Sequence, residues 1–223
     1  MTFHAKLGSL HNRINRMKSL SQHIAKELLV SKEDAKLASE LCKCDLVSEM
    51  VFEFPELQGI MGSYYALEQG KGEVVANAIK QHYQPQGLND DIPTDGVAIC
   101  VAIAEKLDTL IGFWLINEKP TGSKDPYALR RCALGIIRII LENNLRIDLS
   151  QLIIGHQKSF AELKINSEDI TNDLLSFFSD RIKSHLKSQG IRHDFICAVI
   201  ATGIKDNLPA KVKLAQELSN NSD

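Results

Sequence analysis

VAICVAIAEKLDTLIGFWLI, residues 97–116, is the longest apolar stretch of a 223-residue chain, and its periodicity decides the fold. Val97, Val101, Ala104, Asp108, Ile111 and Leu115 advance by alternating steps of four and three, the spacing of one helical face. Glu105, Lys106 and Asp108 sit near its middle. Each would cost about 2.5–3.5 kcal/mol at a bilayer centre, so the stretch reads as a helix buried in protein, with no membrane partner.

The same period continues on both sides. Upstream, Leu7, Leu10, Ile14, Met17, Ile24 and Leu28 mark one face of a long first helix. Ser31 followed by Asp34 predicts the start of a second, running to about Glu49, with Ala38, Leu41 and Asp45 on its buried face. FEFPELQGIMG, residues 52–62, breaks the pattern with a proline and two glycines and reads as an ordered loop. Short helices are expected over 60–67 and 73–83, then a loop over 84–96. Downstream, Asp125 and Pro126 read as the N-cap and first turn of a helix reaching about Asn143. Further helices are expected over 149–163, 172–188, from His193, and over 208–219. Gly190 reads as a helix stop and residues 220–223 as a frayed tail. No stretch alternates as a strand would, so the fold class is all-α, with about nine to eleven helices and no sheet.

Composition narrows the function. Hydrophobic residues at 44% and charged residues at 24% exclude wholesale disorder. Lys+Arg 26 against Asp+Glu 28 gives a net charge of -2, which excludes a globally basic nucleic-acid coat but not a local basic patch. Five cysteines without framework spacing, and no apolar leader over Met1 to His11, predict reduced thiols in the cytoplasm. Cys42 and Cys44 lack the second pair a zinc site needs, and Cys100, Cys132 and Cys197 read as small core residues.

Two acids, Asp45 and Asp108, fall on faces that should be buried, and His82 shares a helix face with Val75, Ala78 and Ile79. A buried carboxylate must be paired, coordinated or protonated. Each acid therefore either bonds an amide or a basic side chain, with His82 a satisfied core histidine, or joins a metal site across three helices. The second arrangement resembles the HD superfamily of helical metal-dependent phosphohydrolases, where an early His, a His-Asp pair and a later Asp hold metal. By that resemblance Asp45 and Asp108 match the two acids, Cys44 stands where the paired His should be, and neither His11 nor His23 supplies the early His. The site is degenerate, no metal is expected, and His193-Asp194 lies outside the motif's context.

Basic residues gather around PTGSKDPYALRR, residues 120–131: Lys119, Lys124, Arg130, Arg131 and Arg138. The segment lacks the spacing of a Walker motif, but its amides, the following helix start and these cations are candidates to hold phosphate or an RNA backbone. A second cluster comprises Arg181, Lys183, Lys187 and Arg192.

Taken in order, FPELQGIMG (54–62) with Tyr64-Tyr65-Ala66, AEKLDTL (104–110) with Gly112-Phe113, and PTGSKDPYALRR continuing through Leu134 to Asn143 resemble the β subunit of the bacterial heterotetrameric glycyl-tRNA synthetase. Lys6 to Ser9 and Gly190 to Asp194 match weaker flanking motifs. The resemblance implies an HD-domain-like helical bundle over 1–146, followed by additional helices over 147–223 that lead toward a C-terminal body this chain lacks. It implies a non-catalytic, tRNA-facing module, with no catalytic residue or cofactor of its own. The α subunit would activate glycine with ATP and Mg. The partners implied are that α subunit, tRNA(Gly) and the rest of the β subunit. A nucleotide phosphohydrolase and a purely structural spacer are the competing readings.

Overall fold

The computed structural model describes residues 1–163, 169–203 and 207–220; the expected tail beyond residue 220 lies outside them. Among the described residues the fold is helical, with eleven α-helices, three short 3-10 turns and one two-stranded ribbon. The chain divides into two compact units, Met1–Thr109 and Leu110–Asp223, which part inside the longest helix.

The first unit opens with β1 (Thr2–His4) and β2 (Gly8–Ser9), paired antiparallel. This ribbon corrects the expectation of no sheet and of a helical Leu7: Gly8 takes φ +83° at its bend, and Leu7 is buried from the turn. Ser9 then caps α1 (Leu10–Glu27), accepting the Asn12 amide while the Asn12 side chain accepts the Ser9 amide. α2 (Lys32–Leu41) starts at the expected cap, Ser31, and lies against α1. Small residues set their approach: Ser39 donates to Ser21 at 2.8 Å and Ser21 to the Ala35 carbonyl at 3.2 Å.

α2 ends at Leu41, well short of the expected Glu49. A 3-10 turn over Cys44–Val47, α3 (Glu49–Glu53) and a second 3-10 turn at Pro55–Leu57 carry the chain to α4 (Ile60–Glu68) and α5 (Glu73–Gln81). α6 (Gly96–Leu115) is capped by Asp95, which accepts the Val97 and Ala98 amides. Every residue from Val97 to Leu115 is buried, so the strict seam is one line on a helix enclosed all round. Gly96 admits Val30 so closely that a Cβ would stand 2.5 Å from Val30 Cγ1.

The second unit contains α7 (Leu129–Glu142), α8 (Leu149–Gln157), α9 (Thr171–Ser188), α10 (His193–Ala201) and α11 (Leu208–Asn220). α9 packs on α7, α8 and α10, and α11 on α7 and α10. Ile136, Leu174, Phe178, Ile182 and Leu186 are buried at this centre. Gly190, at φ +81°, turns the chain after α9 as expected. Cys197 departs from its expected core position and is exposed on α10, 3.5 Å from His193 Nε2.

Candidate functional site

The buried acids of the first unit are answered by basic groups that sequence reasoning passed over. Arg13 and Arg16 lie on the apolar face of α1 with Met17, Leu20 and Ile24. Arg16 holds Asp108 in a two-pronged bridge, Nε to Oδ1 at 2.8 Å and Nη2 to Oδ2 at 3.0 Å. Arg13 donates to Glu105 Oε1 at 2.9 Å, to the Glu105 carbonyl and to Thr109. Lys43, which follows α2, also reaches Glu105 Oε1 at 3.0 Å, and its Nζ lies 2.9 Å from His82 Nε2. The Tyr83 ring stands 3.8 Å from that ammonium. Lys106 donates to the Tyr83 and Gln84 carbonyls.

The electrostatics follow from this packing. Burial opposes the Glu105 charge, but the Arg13 and Lys43 cations overcome it and hold the carboxyl far below the carboxylate range. Burial opposes the Lys43 charge as well, and the Glu105 carboxylate overcomes it, so the amine stays protonated. Burial and then the Lys43 charge push His82 well below the ordinary imidazole value, leaving it neutral. Burial first, with Glu105 beside Cys42 and Asp95 beside Cys100 adding to it, lifts the two thiols to about 12, which makes them inert core groups.

Asp45 does not lie on α2, as expected, but in the 3-10 turn that follows it. Its Oδ2 accepts the Gly59 and Gly62 amides at 2.7 and 3.1 Å, capping α4 from fourteen and seventeen residues upstream. Cys44 is exposed, with its thiol toward the Glu40 carbonyl. The three residues of the degenerate HD pattern therefore face three different tasks: exposure for Cys44, helix capping for Asp45 and an arginine bridge for Asp108. A metal, as the HD resemblance would imply, does not fit this donor set. The Asp108 oxygens are taken by Arg16, and Lys43 stands where His82 and Glu105 converge. Among the described residues no group of three or more metal-ligating side chains stands together.

The basic segment of the second unit is a hydrogen-bonded loop. Thr121 and Lys124 exchange backbone hydrogen bonds across a tight turn. The Tyr127 ring stacks on Phe113 at 3.9 Å, and its hydroxyl donates to Glu118. Asp125 accepts the Leu129 and Arg130 amides at 2.8 and 3.0 Å. The expected N-cap role is thus real, but the helix begins at Leu129, and its first amides are filled by Asp125 rather than open to phosphate. Lys119 pairs with Asp173 at 2.7 Å, Arg130 donates to the Gly122 carbonyl at 2.7 Å, and Arg138 pairs with Glu142 at 2.7 Å. Lys124 and Arg131 are exposed with no side-chain partner among the described residues.

A third feature went unread. From Val47 to Tyr65, apolar side chains face water: Val47 at 81%, Phe52 at 85% and Tyr64 at 61% exposure, with Met50, Phe54 and Ile60 beside them in the chain. Glu49, Glu53 and Glu56 are exposed among them, and Glu68 is exposed just beyond. The four aromatics of 52–65, Phe52, Phe54, Tyr64 and Tyr65, read together with the acids of the segment, are the available signal.

With this geometry established, comparison with known proteins is specific. A family model described as glycyl-tRNA synthetase beta subunit matches residues 1–201. The glycine--tRNA ligase beta subunit of Ruegeria sp. (strain TM1040) is 50% identical over 220 residues, covering 99% of this chain and 31% of the relative. That of Cereibacter sphaeroides (strain ATCC 17029 / ATH 2.4.9) is 51% identical over 222 residues, covering 98% and 32%. That of Paracoccus denitrificans (strain Pd 1222) is 49% identical over 220 residues, covering 99% and 31%. The chain thus spans about a third of the length of these curated relatives.

Proposed function

We infer the role of this chain from its membership: it belongs to the glycyl-tRNA synthetase beta subunit family, and within it we read the chain as a non-catalytic helical module that serves the charging of tRNA(Gly) in the cytoplasm. Activation of glycine with ATP and Mg falls to the α subunit. The observation that carries the non-catalytic reading is the closure of the buried charge cluster on itself. Lys43 bonds both His82 and Glu105 Oε1, Asp45 Oδ2 is engaged by two amides, and all four side chains are buried, so no acid, base or nucleophile there faces a substrate. The same closure disfavours a phosphohydrolase.

RNA contact is assigned to the ordered loop at residues 119–131. Its exposed cations Lys124 and Arg131 project from a framework already fixed by Asp125, Tyr127 and Arg130. Lys119 holds Asp173 in a surface pair worth about 0–1 kcal/mol that a phosphate can replace, whereas the Arg138 side chain, only 11% exposed, is less accessible. Exposed apolar groups among glutamates between Val47 and Glu68 suit a protein surface and repel RNA, and we assign this face to the α subunit.

The test of the RNA assignment is Lys124→Ala with Arg131→Ala in the complete synthetase. Loss of two phosphate contacts is expected to weaken tRNA binding and lower the salt-dependence slope by about 1.4–1.8. Glycine-dependent pyrophosphate exchange and the melting temperature should stay unchanged. An unchanged slope would leave the chain as a structural spacer.

A further inference from the structure

We infer that Arg181, on the line of α9 that passes Trp114 and Arg138, holds a backbone phosphate of RNA, in continuation of the 119–131 loop; this rests on the RNA contact assigned to that loop. Asp173, Phe177, Arg181, His185 and Gln189 follow one another at i, i+4 along α9 and share one side of it. Their neighbours fix where that line runs. Asp173 takes Lys119 Nζ at 2.7 Å and the Trp114 indole N–H at 2.8 Å. Trp114 in turn meets Phe177, with ring centroids 4.7 Å apart, and Arg181 lies over the Phe177 ring at 5.6 Å. Further along, His185 is half-buried; burial first and the Arg138 cation second push its imidazole below the ordinary value, with Glu142 opposing. The line therefore starts at Lys119, a cation of the basic loop, and passes beside Arg138 on α7.

Arg181 is the member of this line left unanswered. Its side chain is half-buried, its Nε is enclosed without a hydrogen bond, and among the described residues no carboxylate or carbonyl takes its guanidinium. Asp180, next in the chain, is engaged by Lys183 at 3.3 Å instead. Other arginines drawn out of water in this chain are answered: Arg13 by Glu105, Arg16 by Asp108, Arg130 by the Gly122 carbonyl and Arg138 by Glu142. A cation withdrawn from solvent and given only a ring is costly to keep, so the missing partner comes from outside the chain. Phe177 steadies the guanidinium without consuming a donor, and the planar fork that remains matches an oxyanion in two-pronged fashion. A run of phosphates fits better than a single carboxylate, because Lys119 and the exposed Arg131 supply further cations in the same unit.

The test uses the complete synthetase and tRNA(Gly), with Arg181→Met, which keeps an apolar stem against Phe177 and removes the charge. Binding is expected to weaken roughly five- to tenfold at about 0.1 M salt, and the salt-dependence slope to fall by about 0.7–0.9, one contact. The melting temperature should hold or rise, since the charge removed had no partner. Arg181→Lys, which keeps a cation, should retain the slope. Added to Lys124→Ala with Arg131→Ala, Arg181→Met should lower the slope by the same further amount. An unchanged slope for Arg181→Met, where the loop variant lowers it, overturns this inference and leaves the loop assignment standing. The reverse pattern keeps Arg181 on RNA and removes the loop. A lower melting temperature with unchanged binding makes Arg181 a packing residue and overturns the inference. Weakened association with the α subunit at an unchanged slope does so too, giving the guanidinium to a protein carboxylate.

Discussion

At the scale of single residues, the first unit places charge where hydrocarbon would be expected. Arg13, Arg16, Lys43, Glu105 and Asp108 are all under 9% exposed, so each has surrendered water for a protein partner. Desolvation makes such pairs weak contributors to net stability while making either partner costly to lose. The arginine bridge at Asp108 allows this to be measured. Arg16→Ala is expected to destabilise the chain by about 3–5 kcal/mol, because buried Asp108 loses its two-pronged partner, while Arg13 Nε stands farther off at 3.7 Å. Replacing both ends, Arg16→Met with Asp108→Leu, should cost far less than the single change. Urea denaturation of wild type and these two variants reads the difference, and equal losses for the single and double variants would assign the cost to packing instead.

At the scale of elements, helix existence was legible and helix ends were not. The seam of α6 and the face of α1 announce themselves because apolar side chains recur with the helical period. The end of α2 carries no local punctuation: Cys42, Lys43 and Cys44 are compatible with continuing the helix. It stops there because Asp45 must reach the Gly59 and Gly62 amides, a contact between positions fourteen and seventeen apart that no window of sequence displays. Asp45 and Asp108 are buried, as their positions on apolar faces predict, and they bond two amides and an arginine respectively. The arginines and the lysine that settle the matter were invisible, because Arg and Lys on an apolar stripe read as solvated side chains with buried stems. The cap on α4 also depends on glycine. A Cβ on Gly62 would stand 2.9 Å from Ile79 Cγ2 and 3.1 Å from Asp45 Oδ2, crowding the cap and the α4–α5 contact together. Gly62→Ala is therefore expected to cost about 1–3 kcal/mol despite its better helix propensity, measured as a lower denaturation midpoint at unchanged slope. A gain of stability would show that α4 can move aside and that its close approach to Asp45 is not required.

At the scale of the whole molecule, a net charge of -2 conceals surfaces of opposite character carried by different segments. Lys124 and Arg131 project from the 119–131 loop, while Phe52 and Tyr64 project among Glu49, Glu53, Glu56 and Glu68. Phosphate is repelled by the second set, and bare phenylalanine is unfavourable in water, so the surface calls for apolar side chains rimmed by lysine or arginine. Burial of aromatic groups of this size dominates binding energy where they reach the centre of an interface. Phe52→Ser with Tyr64→Ser is accordingly expected to weaken association of the β and α subunits by about 2–4 kcal/mol, roughly thirtyfold to a thousandfold in Kd. Because both side chains are already in water, the melting temperature of the isolated chain should hold or rise slightly. Raising salt should weaken wild-type association through the glutamate rim, and Glu53→Lys should reproduce that loss at low salt. Sedimentation of mixed subunits measures the first effect and a thermal melt the second. Intact association with α, accompanied by a lower melting temperature of a complete β subunit carrying the changes, would transfer this face from the α subunit to the remainder of β.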